Sequence, residues 1–125
     1  MYLLDTNILL EILLQQKNSN ECEKFMNNNL GALAISDFTL HSIGVILLRD
    51  KKYEVFGNFI SEVLEKVIIF NLPMSSYSLI AEYSKKTGLD FDDTYQCLVA
   101  KHYILSIVTM DFDFKKVEDV KVLFL

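Results

Sequence analysis

Five short apolar runs, each closed within a few residues by polar or turn-forming residues, constrain the fold of this chain more than any other feature. They are residues 1–4, "GALAIS", "VIIFNL", "SIVT" and "VKVLFL". Continuous apolar runs of this length read as strands buried on both faces, because a half-solvated strand would alternate with polar residues. The stretches between them carry helical spacing. Residues 7–16 predict one helix, and a second, capped by Ser19 or Asn20, runs to residue 28. Ser36 can cap "DFTLHSIGVILLRD", and "YEVFGNFISEVLEK" is amphipathic in turn. Residues 75–86 predict a helix ended by Gly88, and residues 91–103 predict the last, its apolar stripe including Cys97, Ala100 and Ile104. Buried strands alternating with helices imply a three-layer α/β/α fold with a central parallel sheet.

Nothing divides this pattern. The chain has 125 residues, one proline (Pro73), four glycines and no repeat or linker, so residues 1–125 are expected to form a single domain. No apolar run approaches the roughly 20 residues of a membrane span, and a cytoplasmic location without membrane contact is the expectation. Cys22 and Cys97 lie in helical, apolar settings and read as buried thiols.

Carboxylates stand where such a sheet gathers its ligands, outside the carboxyl ends of the strands. Asp5 follows the first run directly, and Asp111 and Asp113 follow "SIVT". Asp93 opens the last long helix on the side of its apolar stripe, which turns it toward the sheet. Each acid also has a local use: Asp5 as a helix cap, Asp90 with Asp93 as a capping arrangement, Asp111 in an Asx turn. Asp37 and Asp92 read as first-turn helix acids. Clustered carboxylates raise one another's pKa unless a cation offsets them, and Mg²⁺ or Mn²⁺ prefers oxygen ligands. The net charge of −5 disfavours a polyanionic partner at first sight. With four carboxylates assigned to a cation, however, 13 acids face 12 bases, and nucleic acid stays compatible. The pairs Lys51–Lys52, Lys85–Lys86 and Lys115–Lys116 could meet phosphates, or serve as solvated faces.

"YLLDTNILLEIL", "GLDFDDTYQCLVAKHY" and "SIVTMDFDFKKV" resemble, in order and nearly end to end, the three acidic motifs of PIN domains, especially the small VapC-type toxins. The resemblance implies a metal-dependent ribonuclease with a parallel sheet between helices, an RNA substrate, a homodimer and an antitoxin protein that covers the site. By position it makes Asp5 the first-motif ligand, Asp93 the helix-opening acid, and Asp111 with Asp113 the acids after the fourth strand. Thr6 and Asn7 match the polar neighbours of the first acid, and Thr109 matches the hydroxyl residue before the last pair.

One position departs from the pattern. PIN nucleases usually carry a Glu on the helix after the second strand, where this chain has Ser42 with His41 beside it. His41 could serve as a ligand or proton carrier, or simply as a surface histidine. His102 reads as structural. The leading expectation is an endoribonuclease holding one or two Mg²⁺ or Mn²⁺ ions through Asp5, Asp93 and Asp111, with Asp113 as a direct or water-mediated ligand. A PIN-like protein of weakened catalysis that binds RNA or a protein partner is the alternative. A phosphatase is disfavoured because Asn7 stands where its second acid belongs, and a receiver because "VIIFNLP" has no Asp to phosphorylate.

Overall fold

The five apolar runs form one parallel sheet in the computed structural model, which describes residues 1–125. The strands are β1 (Tyr2–Leu4), β2 (Leu33–Ser36), β3 (Ile68–Phe70), β4 (Ser106–Thr109) and β5 (Val122–Phe124), in the spatial order β3-β2-β1-β4-β5. Leu3 aligns with Ala34 on one side and Ile107 on the other, so the strand ends are level across the centre. The chain builds outward from β1 to β3, then returns to the far side of β1 to lay down β4 and β5. That reversal puts the topological switch point between β1 and β4, where the flanking connections leave in opposite directions and open a crevice.

Strand pleating divides the core in two. Leu3, Ala34 and Ile107 point to one face, where they pack with Leu98, Val99, Ala100 and Phe114. Leu4, Leu33, Ile35 and Val108 point to the other, against Ile8, Leu9, Met26, Ile43, Leu47 and Phe59. The first face is covered by α5 (Ile80–Thr87) and α6 (Phe91–Tyr103). The second is covered by α1 (Thr6–Leu13), α2 (Ser19–Asn28), α3 (Asp37–Arg49) and α4 (Tyr53–Asn58). Each fully buried Leu, Ile or Phe contributes about 1.5–3 kcal/mol, which explains why both faces must be covered. The fold is thus the expected α/β type, a parallel sheet flanked by helices. Cys22 and Cys97 are free and buried, one in each half-core. No helix is long and apolar enough to cross a membrane.

Several local expectations are corrected. β3 is an edge strand, and Ile68 and Ile69 are 50% and 43% exposed, so its apolar run does not mark a strand buried on both faces. Helix α1 stops at Leu13 rather than residue 16, because Gln15 turns to φ 49°. Neither Ser19 nor Asn20 caps α2: Asn18 stands there without a side-chain cap, its N–H donating instead to Glu11 Oε2 at 2.8 Å. The stretch after α4 leaves regular α geometry for a π-turn (Phe59–Val63) and a 3₁₀ turn (Leu64–Lys66), with Phe59 buried. A 3₁₀ segment, Met74–Leu79, precedes α5, which ends as expected on left-handed Gly88. Ile104 does not extend the apolar stripe of α6; it is the left-handed C-cap and 90% exposed.

Candidate metal centre

The ends of β1 and β4, with the first turns of α1, α3 and α6, enclose a cleft of about 250 Å³. Asp5, Asp92, Asp93 and Asp111 line it, together with Thr6, Asn7, Ser42 and Gln96. Its position is the switch point that the strand order creates.

Asp5 forms the floor. It is 8% exposed, and both of its oxygens are engaged: Oδ1 accepts from the Thr6 N–H at 2.7 Å, and Oδ2 accepts from Asn7 Nδ2 at 3.0 Å and Thr109 Oγ1 at 2.6 Å. Burial pushes its pKa up, the bonds from Thr109 and Thr6 oppose that shift, and the nearby Asp111 charge adds to it. Asp5 is therefore both the cap of α1 and a buried acid facing other acids. A carboxylate that accepts several hydrogen bonds is held in one orientation, which suits a preformed binding site.

The other acids are placed by caps of their own. Asp90 accepts from the Asp93 N–H at 3.0 Å and starts α6, fixing Asp93 in its first turn. Asp111 accepts from the Asp113 N–H at 2.9 Å and opens the 3₁₀ turn Phe112–Lys116. The Asp111 N–H in turn donates to Thr109 Oγ1 at 2.9 Å. The capping uses read from the sequence are thus present, and they aim the carboxylates rather than replace the cluster. Asp93, Asp111 and Asp113 bring one oxygen each within 4.8 Å of one another. Opposite ligands of an octahedral ion with bonds near 2.0–2.1 Å lie about 4.2 Å apart, so three oxygens within 4.8 Å of one another can be drawn onto one ion by small side-chain movements, and the all-oxygen donor set suits a hard divalent cation. Asp5 stands outside that trio but within reach of the charges of Asp93 and Asp111, whereas Asp113 is exposed and lies outside the cleft lining.

Electrostatics agree with the crowding. Burial, then the charges of Asp90, Asp5, Asp111 and Asp113, push Asp93 up to about 7. Asp92 is also raised, by burial and by Asp90. Neither arginine nor lysine lines the cleft, so no cation of the protein offsets these acids.

The remaining sequence candidates divide. Thr6, Asn7 and Thr109 join the Asp5 network, with Asn7 Oδ1 also accepting from the Met110 N–H at 3.4 Å. Ser42 lines the cleft, whereas His41, its neighbour, is exposed and outside the lining. Asp37 is drawn away, accepting from Tyr95 Oη at 2.8 Å. Lys86 and Lys116 meet in a separate polar pocket with Tyr83, Thr87, Glu118 and Asp119. His102 is exposed on the last turn of α6, edge-on to Tyr103.

Sequence reasoning missed Gln96 and Thr39. Thr39 Oγ1 is buried, accepts from Gln96 Nε2 at 2.7 Å and Ser36 Oγ at 3.3 Å, and shares a hydrogen bond with Thr6 Oγ1 at 3.0 Å. The available signal was Gln96 itself, a polar residue three positions after Asp93 and therefore on the same helical face, inside an otherwise apolar run.

Comparison with known proteins agrees with this fold. No curated protein matches the sequence. Among solved structures, the chain is similar to VapC20 of Mycobacterium tuberculosis, described as a sarcin-ricin loop cleaving toxin, with a TM-score of 0.81 at 12% identity over 98% of each chain. It is similar to a chain of FitAcB from Neisseria gonorrhoeae, with a TM-score of 0.75 at 27% identity over 98% of this chain and 96% of that one. It also resembles a chain of VapBC2 from Rickettsia felis, solved bound to a DNA fragment from the promoter, with a TM-score of 0.78 at 20% identity over 99% and 98%. The sequence profile described as "PIN domain" matches residues 2–120. The chain therefore belongs to the PIN domain family.

Proposed function

We propose that this chain is a metal-dependent endoribonuclease that hydrolyses RNA phosphodiester bonds, and the toxin of a toxin–antitoxin pair, acting as one domain over residues 1–125. The observation that carries the reading is the meeting of Asp93, Asp111 and Asp113, two of which line the same cleft as Asp5 at the switch point of the sheet. Local caps place Asp111 beside Asp113 and start α6, but they do not require Asp93 to meet that pair across two elements, and mutual repulsion opposes it unless a cation is held there. Asp93, Asp111 and Asp113 would hold Mg²⁺ or Mn²⁺, with Asp5 as a further ligand or a ligand through water. A divalent ion so held lowers the pKa of bound water and neutralises charge developing on a phosphate.

The chain's own residues supply positioning. Thr109 ties Asp5 to the Asp111 backbone, and Asn7 spans Asp5 and Met110, so the β1 and β4 ends form one hydrogen-bonded unit. Raised as it is, Asp93 can hold or release a proton near neutral pH when no cation is present. The fold shared with a chain of a toxin-antitoxin complex supports an antitoxin protein as a partner, and a second copy of this chain is a further partner for the same test. The VapC20 description supports structured RNA as the substrate class to test.

The test is cleavage of a mixed pool of structured RNAs with Mn²⁺, Mg²⁺ or EDTA, comparing the wild type with Asp93→Asn. Cleavage that needs metal and is lost in the variant is the expected result. No cleavage by folded protein with either ion would favour the second reading, a PIN domain that binds RNA or protein with weakened catalysis. Ser42 motivates that reading, because it faces the cleft where the family usually carries a Glu.

A further inference from the structure

Gln96 carries an unexplained atom. The residue is 2% exposed, it lines the acidic cleft, and its Oε1 is the buried side-chain polar atom left without a hydrogen-bond partner. The other end of the same carboxamide is fixed, since Nε2 donates to Thr39 Oγ1 at 2.7 Å. Thr39 is itself held by the Thr39 N–H to Ser36 Oγ bond at 3.1 Å and by Thr6 Oγ1 at 3.0 Å, next to Asp5. The carboxamide is therefore anchored at its donor end and open at its acceptor end.

Leaving a buried carbonyl oxygen unsatisfied costs about 1–3 kcal/mol, and a Leu or Met at this point of an apolar helix face would avoid that cost. An acceptor kept in such a place calls for a donor that arrives with the ligand. Mg²⁺ and Mn²⁺ keep several waters when bound by a few carboxylates, and each such water must donate two hydrogen bonds. Ser42, which also lines the cleft, is one acceptor on the α3 side, and Gln96 is the other candidate, reaching in from α6.

We propose that Gln96 is a positioning residue of the metal centre: its Oε1 accepts a hydrogen bond from the hydration shell of the divalent ion, and with Ser42 it takes the place of the carboxylate that α3 lacks. The proposal rests on the metal-centre reading above. Two neutral acceptors differ from a Glu in a physical way. They orient water without adding charge to a cleft that Asp5, Asp92, Asp93 and Asp111 already line. Outer-shell partners of this kind typically change metal affinity 10- to 100-fold when removed.

The experiment is Mn²⁺ binding to the full chain by calorimetry, with metal-free thermal stability measured beside it, for the wild type, Gln96→Met, Gln96→Glu and Asp111→Asn. Gln96→Met keeps volume and removes the acceptor; it should weaken Mn²⁺ tenfold or more. Gln96→Glu keeps the shape and an acceptor at the same atom, now charged, and should bind Mn²⁺ at least tenfold tighter than the wild type. A purely structural Gln96 would change metal-free stability and leave Mn²⁺ affinity where it was. Unchanged affinity in both Gln96 variants, with binding lost in Asp111→Asn, overturns the role of Gln96 and leaves the metal centre standing. Absence of Mn²⁺ binding in the folded wild type overturns the metal centre and this proposal with it. If Gln96→Met does not fold, Gln96→Asn decides, because it keeps the carboxamide and withdraws it by one methylene: weakened Mn²⁺ binding supports the proposal, and affinity equal to the wild type overturns it.

Discussion

Thr109 Oγ1 donates to Asp5 Oδ2 at 2.6 Å across 104 positions of sequence, and the same oxygen accepts from the Asp111 N–H at 2.9 Å. One hydroxyl thus joins the ends of two neighbouring strands and faces the most buried acid of the cleft. Thr109→Val keeps the shape of the side chain and removes both bonds. A hydrogen bond to a charged group contributes about 1.5–3 kcal/mol, so urea unfolding at pH 8 should show a loss of about 2 kcal/mol. The Thr109 bond opposes the upward shift that burial imposes on Asp5. Without it, ionised Asp5 is harder to hold, and the loss should grow as pH rises through the folded pKa of Asp5 and be smaller at pH 4. Equal losses at both pH values would show that Asp5 does not depend on Thr109 for its charge.

Asp93 makes the metal-free protein sensitive to pH. Its pKa is raised from the ordinary 3.8 to about 7, so folding favours the protonated form. The stability it contributes is complete below the unfolded pKa and is lost as pH rises through about 7. In EDTA, the melting temperature should therefore fall between pH 5 and pH 8. Asp93→Asn breaks no local bond, since Asp93 enters the network through its backbone N–H. The variant should match the wild type near pH 4 and melt higher at pH 8. A variant that melts lower at pH 8 would mean that the acids do not repel as their placement implies.

Much of this arrangement is legible in the sequence because parallel strands buried on both faces leave continuous apolar runs, and an acid directly after such a run must lie on the sheet's carboxyl rim. That reasoning places Asp5 and Asp111 correctly beside β1 and β4. It cannot tell an edge strand from a central one, so the run Ile68–Phe70 looks as buried as Leu33–Ser36 until the strand order is known. Nor does helical spacing reveal the π-turn at Phe59–Val63, in which Phe59 alone is buried. Gln96 left only its polarity as a signal, and Thr39 left none, for a different reason. They pair across 57 positions, and a polar residue's burial depends on a partner that periodicity does not identify.

Ile104 offers a test of backbone strain away from the cleft. It closes α6 at φ 57° and ψ 53°, a left-handed conformation that a β-branched residue resists, and its side chain is 90% exposed. The strain is about 1–2 kcal/mol and no packing is lost on truncation. Ile104→Gly should stabilise the protein by roughly 1 kcal/mol after allowing for the freer unfolded chain. Chemical denaturation reads this directly, and a destabilised variant would mean that Ile104 makes a contact in solution that its exposure belies.

Metal binding and the proton on Asp93 should compete. If Asp93, Asp111 and Asp113 hold Mn²⁺, the ion requires ionised carboxylates, and an Asp93 with a pKa of about 7 carries its proton in most molecules at pH 6. Binding at pH 6 then releases about one proton, and apparent affinity should rise about tenfold from pH 6 to pH 8. Calorimetry in two buffers of different ionisation enthalpy measures the proton count, and Asp93→Asn should bind Mn²⁺ more weakly while losing that pH dependence. The same ion should raise the melting temperature of the wild type, because a ligand at 100 times its Kd adds about 2.7 kcal/mol to the folded state. A pH-independent affinity would place the ion away from Asp93, and the cluster would then act through Asp5 and Asp111 instead.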